Sequence, residues 1–238
     1  MEQYISRISF DGKLDENSYL NDLPIIRFLS HNNIELNSPV TFFVGENGTG
    51  KSTLLEAIAV AYGFNAEGGT KNFTFSTKKT HSELCEHITL SKKAFPKDGF
   101  FLRAESMYNV ATHIDEVDAV RSYGGVSLHE QSHGESFLAV VHNRFKGQGL
   151  YILDEPEAAL SPMRILALMK EMDWLVKNGS QFIISTHSPI LMTFPGARIF
   201  ELTTDGINEV DYRETEHYRT TKDFLNDPER MLHYLFNT

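Results

Sequence analysis

GENGTGKST, residues 45–53, decides how this chain folds. Its spacing, Gly45-x4-Gly50-Lys51-Ser52, is that of a complete phosphate-binding loop. Gly45, Gly48 and Gly50 allow a tight turn that brings backbone N–H groups against phosphate oxygens. Asn47, Thr49 and Thr53 belong to the same phosphate-contacting run. Lys51 is expected to reach the β- and γ-phosphates, and the Ser52 hydroxyl to sit on Mg²⁺. Pro39 to Val44 is β-branched and aromatic and reads as a buried strand. Residues 52–62 read as a helix whose N-terminus faces the phosphates.

LYILDEPEAAL, residues 150–160, supplies the other half of a metal site. Its apolar start is strand-like and ends in Asp154-Glu155-Pro156. Asp154, at the end of the strand, is placed to hold Mg²⁺ through water. Glu155 follows on the opposite side of the pleat, where a carboxylate can orient and polarise the water that attacks a γ-phosphate.

Two further motifs complete an ordered set of four: SHGES at 132–136 and ISTHSP at 184–189. Asp154-Glu155-Pro156 followed by Ala158-Ala159-Leu160-Ser161 resembles the extended Walker B and D-loop of the ABC ATPase superfamily. Ser185-Thr186-His187-Ser188 resembles its switch-histidine loop, and Ser132-His133-Gly134-Glu135-Ser136 its signature. The match runs from about 39 to 189 in the family's order. It is closest in character to small stand-alone bacterial AAA-family ATP-binding proteins, on the repair and chromosome-maintenance side of the superfamily.

The resemblance implies an α/β P-loop NTPase of the ABC-ATPase type. Its mostly parallel core sheet is flanked by helices and carries an inserted signature-bearing lobe. It also implies ATP and Mg²⁺ as ligands, with catalytic roles for Lys51, Glu155 and His187. The signature residues Ser132, His133, Gly134 and Glu135 would meet the γ-phosphate held by a second copy of the chain. His133 departs from the usual glycine and makes that approach bulkier. Ser132 is also a good helix N-cap, and both roles can hold together, because a helix N-terminus is an anion site. His187 would hydrogen-bond the γ-phosphate.

Two family elements are not fixed by the sequence. No glutamine follows the strand 99–102, where Glu105 or Ser106 stands instead; Gln131, beside the signature, is a further candidate. For the adenine platform, Tyr19, Phe28 and His31 lie upstream of the P-loop, and Phe28 also reads as core.

A chain of 238 residues suits one domain: 1–79 and 146–238 as the nucleotide-binding core, about 80–145 as the inserted lobe. The single cysteine, Cys85, rules out an internal disulfide framework and suits a cytoplasmic protein. The first ten residues alternate like a strand rather than a signal peptide. No apolar run approaches the ~18 residues of a membrane span, so no direct membrane insertion is expected. A net charge of −10 does not argue for nucleic-acid binding and leaves contact through a patch open. Lys78-Lys79 and Lys92-Lys93 with Lys97 are the local basic spots, read as solvated.

Helices are expected near 82–90, 136–145 and 161–178, and across 218–236 with a break at Asn226-Asp227-Pro228. Residues 63–79 read as an exit loop and 120–126 as a flexible segment. The expected partners are a second copy, through an ATP-dependent homodimer, and an unknown protein. DNA maintenance and phage defence are the processes considered. A dimerisation switch with slow turnover is the alternative, ahead of a transporter's nucleotide-binding subunit.

Overall fold

The apolar runs read as buried strands line up side by side in the computed structural model, which describes residues 3–12, 14–15, 17–70, 82–204 and 206–236. The elements in chain order are β1 (Ile5–Phe10), α1 (Pro24–Leu29), β2 (Ile34–Glu35), β3 (Val40–Gly45), α2 (Lys51–Tyr62), β4 (Ile88–Lys92), β5 (Asp98–Arg103), α3 (Met107–Glu116), α4 (His133–Arg144), β6 (Gly149–Asp154), α5 (Pro162–Lys177), β7 (Gln181–Ser185), β8 (Arg198–Thr203), β9 (Gly206–Val210), α6 (Glu216–Asn226) and α7 (Pro228–Phe236).

Six strands form the main sheet, in the order β5-β6-β7-β3-β8-β9. Every neighbouring pair is parallel except β8 with β9. The continuous apolar runs follow from burial on both faces. Phe42, Val44, Tyr151 and Leu153 join a core with Val110, Phe137 and Leu168 of α3, α4 and α5. The alternate residues Phe43, Leu150 and Ile152 join a second core with Leu54 and Ile58 of α2 and Ile5 of β1. An antiparallel β2-β1-β4 sheet caps that second face.

Several expectations change. Residues 82–90 are not a helix: a 3₁₀ turn at Glu83–Glu86 leads into β4. Antiparallel pairing with β1 explains the strand. The stretch 80–145 does not leave the core as one unit, because β4 pairs with β1 and β5 is the edge strand of the main sheet. Only α3, α4 and the turns between them remain as a signature-bearing part. Within residues 120–126, Val120–Tyr123 forms a 3₁₀ turn with Tyr123 buried, followed by two positive-φ glycines. The C-terminal break at Pro228 separates α6 from α7. Lys78, Lys79 and residues 71–79 of the expected exit loop lie outside the described residues.

Candidate functional site

Parallel strands end together, and their ends carry the chemistry. The register sets Arg103 of β5 beside Asp154 of β6, Asp154 beside Ser185 of β7, and Ser185 beside Phe43 of β3, two residues before Gly45. The sheet's pairing therefore gathers at one level groups that lie up to 140 residues apart.

At the end of β3 the chain turns through Gly45 (φ +135°), Gly48 (+83°) and Gly50 (+95°) into α2. A Cβ on Gly45 would lie 2.2 Å from the Leu202 carbonyl oxygen on β8, so glycine is required there by space as well as by angle. Lys51 folds back into this turn. It is buried, and its Nζ donates to the carbonyls of Gly45 and Glu46, both at 2.8 Å. Burial lowers the ammonium below its ordinary value, against the pull of Glu155, Asp154, Glu157 and Glu46. The cleft beside it is lined by Leu23, Asn47, Gly48, Ser52, Thr53 and Glu155, with Lys51 at its floor.

Asp154 is 5% exposed, and both its oxygens are engaged. Ser185 Oγ donates to Oδ1 at 2.5 Å, and Arg103 Nε lies 3.3 Å from Oδ2. Arg103 Nη1 also reaches Glu56 of α2 at 2.6 Å. Glu155 adopts a left-handed backbone (φ +49°) and donates its N–H to Ser185, turning its side chain off the strand toward the cleft. Burial first, then neighbouring Asp154, pushes its carboxyl above the usual range.

His187 follows β7. Its N–H donates to Glu157, whose other oxygen accepts from Thr186 Oγ1 at 2.8 Å, so Glu157 ties the two loops together. His187 Nε2 lies 3.5 Å from Glu155 Oε1. That is an ion-pair distance, but the alignment is wrong for a hydrogen bond, and Nε2 has no hydrogen-bond partner among the described residues. His187 Nδ1 meets Nε2 of His217, from α6, at 2.8 Å. Burial, aided by Lys51 and His217, lowers the His187 imidazole to about 4.

The signature residues stand apart from this cleft; none of its lining comes from 132–135. Ser132 caps α4 with Glu135 in a capping box, which holds the Glu135 carboxyl below its usual range. Gly134 is packed so closely that a Cβ would lie 3.0 Å from the Ala159 carbonyl and 2.3 Å from Arg164 Nη1. Arg164 of α5 reaches Ser132 Oγ and Glu135 Oε1, both at 3.2 Å. His133 is exposed at the start of α4.

A Mg²⁺-triphosphate fits the cleft. Glycines open the cradle, a buried cation sits at its floor, and the Ser52 hydroxyl shares its wall. Among the described residues no cluster of three or more His, Cys, Asp or Glu side chains could hold a metal alone. Mg²⁺ takes few protein ligands and completes its shell with water and phosphate oxygens. With both oxygens engaged, Asp154 would reach the ion through water.

Of the Q-loop candidates, Glu105 has a side chain 86% exposed and lies 4.0 Å from Arg103. The Ser106 hydroxyl is buried beside Gly68 without a hydrogen-bond partner among the described residues. Gln131 turns to the Val126 carbonyl. Phe28 is partly buried in the second core, whereas Tyr19 is 61% exposed on the turn before α1. Arg103, Glu56, Arg164 and His217 are neighbours of these groups that lie outside the motifs, while Ser185 and Glu157 lie within them without having been given a role. Arg103 was the most findable, since it ends an apolar strand as Asp154 does. His217 carries no signal; it lies 30 residues beyond His187 in a polar run.

A family model described as "AAA domain" matches residues 23–110. Another, described as "AAA domain, putative AbiEii toxin, Type IV TA system", matches residues 124–193. Between them they take in all four motifs. Among solved structures, CbiO1 from Clostridium perfringens, part of the CbiONQ ABC transporter complex, superposes with a TM-score of 0.51 at 18% identity, covering 98% of this chain and 99% of that one. The chain has the fold of an ABC-type P-loop ATPase. A "putative metal-chelate type ABC transporter" in an inward-facing conformation also superposes at 0.51, with 14% identity over 92% of this chain and 88% of that one. Curated protein sequences give no significant match. No helix of the described residues is long and apolar enough to cross a membrane.

Proposed function

We propose that this ABC-type chain binds Mg²⁺-ATP in the Lys51 cleft and hydrolyses it between two copies of itself. The observation that carries this reading is the convergence of Lys51 and Glu155 on one cleft, next to His187. Lys51 neutralises charge on the β- and γ-phosphates, exchanging its two carbonyl partners for phosphate oxygens. Backbone N–H groups of 47–53 cradle the same phosphates. Ser52 and, through water, Asp154 would hold Mg²⁺, which would supply positive charge against the leaving and transferred groups. Glu155 orients the attacking water and takes its proton as the water oxygen bonds to the γ-phosphorus and the bond to ADP breaks. A carboxyl whose proton affinity is raised by burial suits that task. His187 Nε2 donates to the γ-phosphate.

The separation of the signature from the cleft supports a shared site. None of the lining of the Lys51 cleft comes from Ser132 or Gly134, and that leaves the signature for a partner's cleft. Closure of the two copies would act on an intracellular protein, in DNA maintenance or phage defence. Leu225, Tyr234, Leu235 and Phe236, left exposed on α6 and α7, support a protein partner.

Glu155→Gln tests the reading. Turnover should fall about 10²-fold or more, the scale of a lost general base. The mass by light scattering should double with Mg²⁺-ATP and not without it. Wild-type turnover in the variant, or one mass in both conditions, would sink the proposal.

A further inference from the structure

Every ring nitrogen in the His187–His217 pair is accounted for by one bond and two vacancies. The 2.8 Å contact between His187 Nδ1 and His217 Nε2 is a hydrogen bond with one proton in it. The outer nitrogens, His187 Nε2 and His217 Nδ1, are buried without a hydrogen-bond partner among the described residues. A neutral imidazole has one N–H and one lone pair. The pair therefore has two arrangements, and they differ at the atom that faces the cleft.

If His187 Nδ1 is the donor, its Nε2 presents a lone pair to the Glu155 carboxylate 3.5 Å away, lone pair against anion. Such a ring cannot donate to a phosphate. If His217 Nε2 is the donor, His187 Nε2 carries the hydrogen. It then points a positive edge toward Glu155, and is ready to donate. Lys51 does not decide the matter by bonding, because its Nζ is directed to the Gly45 and Glu46 carbonyls. The outer nitrogens alone do not choose, since each arrangement leaves one buried donor and one buried acceptor; the Glu155 carboxylate facing His187 Nε2 is what favours the second.

We propose that His217 is a positioning residue that fixes His187 in the Nε2–H tautomer, making the start of α6 part of the ATP site. The inference rests on the reading of His187 as the γ-phosphate donor. His217 is well placed to hold a ring still. Thr215, fully buried, caps α6 through Tyr218 N at 3.4 Å, and the Glu216 N–H is bonded to Glu201 of β8 at 3.2 Å. Tyr218 packs edge-on against Tyr212. Burial and Lys51 keep His187 neutral at ordinary pH, so the tautomer, not the charge, is the variable.

The test reads the tautomer directly. Nucleotide-free protein labelled with ¹⁵N-histidine is examined by NMR through its ring-nitrogen couplings, with the His187 signals identified by their loss in His187→Gln. The wild type should show His187 as Nε2–H, and His217→Leu should abolish that preference. An Nδ1–H ring in the wild type, or one indifferent to His217→Leu, overturns the proposal. Kinetics give the second readout. His217→Leu should lower kcat about tenfold with KM for ATP within twofold, while His217→Gln, whose amide can donate from nearly the same place, should recover most of it; a loss of one positioned donor is worth up to ~10²–10³. Equal losses in the Leu and Gln variants count against tautomer control. If His187→Ala itself keeps full turnover, the phosphate-donor reading fails instead, and the NMR result still decides the pairing.

Discussion

Replacing Arg103 by Met should destabilise the nucleotide-free chain by about 3 kcal/mol. Arg103 has 19% of its side chain exposed and bridges two carboxylates, Glu56 at 2.6 Å and Asp154 at 3.3 Å. Those partners are 15% and 6% exposed, so removing the cation leaves two poorly solvated negative groups near each other. Breaking a buried pair from one side costs ~3–5 kcal/mol. The lower end applies because each carboxylate keeps one further donor, Ser82 N for Glu56 and Ser185 Oγ for Asp154. The Glu105 contact, at 4.0 Å and 86% exposed, adds nothing to the sum. For a chain of this size 1 kcal/mol is worth roughly 2–4 °C, so calorimetric melting should fall by about 6–12 °C. Arg103→Lys should fall between, keeping the charge but not the fork that spans both partners. In a double-mutant cycle, Arg103→Met with Glu56→Gln should cost at least ~1 kcal/mol less than the two single changes added together. A melting shift under ~2 °C with additive singles would refute the view that Arg103 ties α2 to the sheet edge and holds Asp154 in place.

Lys51→Ala should abolish ATP binding by calorimetry while leaving a folded chain, since the lysine's bonds in the free state are only to two loop carbonyls; equal affinity would contradict this. Gly45→Ala should destabilise by about 2 kcal/mol or more, from a φ of +135° and a 2.2 Å clash with a backbone oxygen, read by denaturant unfolding. His187 links stability to pH. Its folded value of about 4 lies below the ordinary 6.5, so the unfolded chain binds the extra proton; that contribution is intact above 6.5 and is lost as pH falls toward 4. The wild type should therefore lose roughly 2–3 kcal/mol more than His187→Gln between pH 7 and 4, allowing for partial exposure. Parallel unfolding curves for the two would count against the burial of a neutral ring.

The four motifs were legible because each is local: a loop between strand and helix, or a strand end followed by polar residues. Phosphate binding constrains adjacent residues, and Gly45 to Ser52 shows the constraint in its spacing. The apolar runs 39–44, 149–153 and 181–184 were legible as strands because burial on both faces leaves continuous apolar stretches. What the sequence hid is pairing across distance. Arg103 looks like any arginine after a strand until parallel register sets it beside Asp154. β4 was read as helix because a half-exposed edge strand alternates weakly, and its partner β1 lies some 80 residues earlier. His217 sits in a polar run and acquires meaning only where α6 begins, at the bond to His187.

The shared site is tested most directly by mixing two disabled chains. Ser132→Arg keeps Lys51 but carries bulk at the signature; Lys51→Ala keeps the signature but not the phosphate cation. Each alone should be nearly inactive. If the signature serves the partner's cleft, the mixed dimer holds one site with both halves intact, and its ATP turnover should rise well above either parent, visible against the ~10²–10³-fold loss typical of a missing phosphate contact. Turnover in verified mixed dimers no higher than in the parents, with no nucleotide-dependent crosslink between Ser132→Cys on one copy and Ser52→Cys on the other in a Cys85→Ser background, would contradict the account.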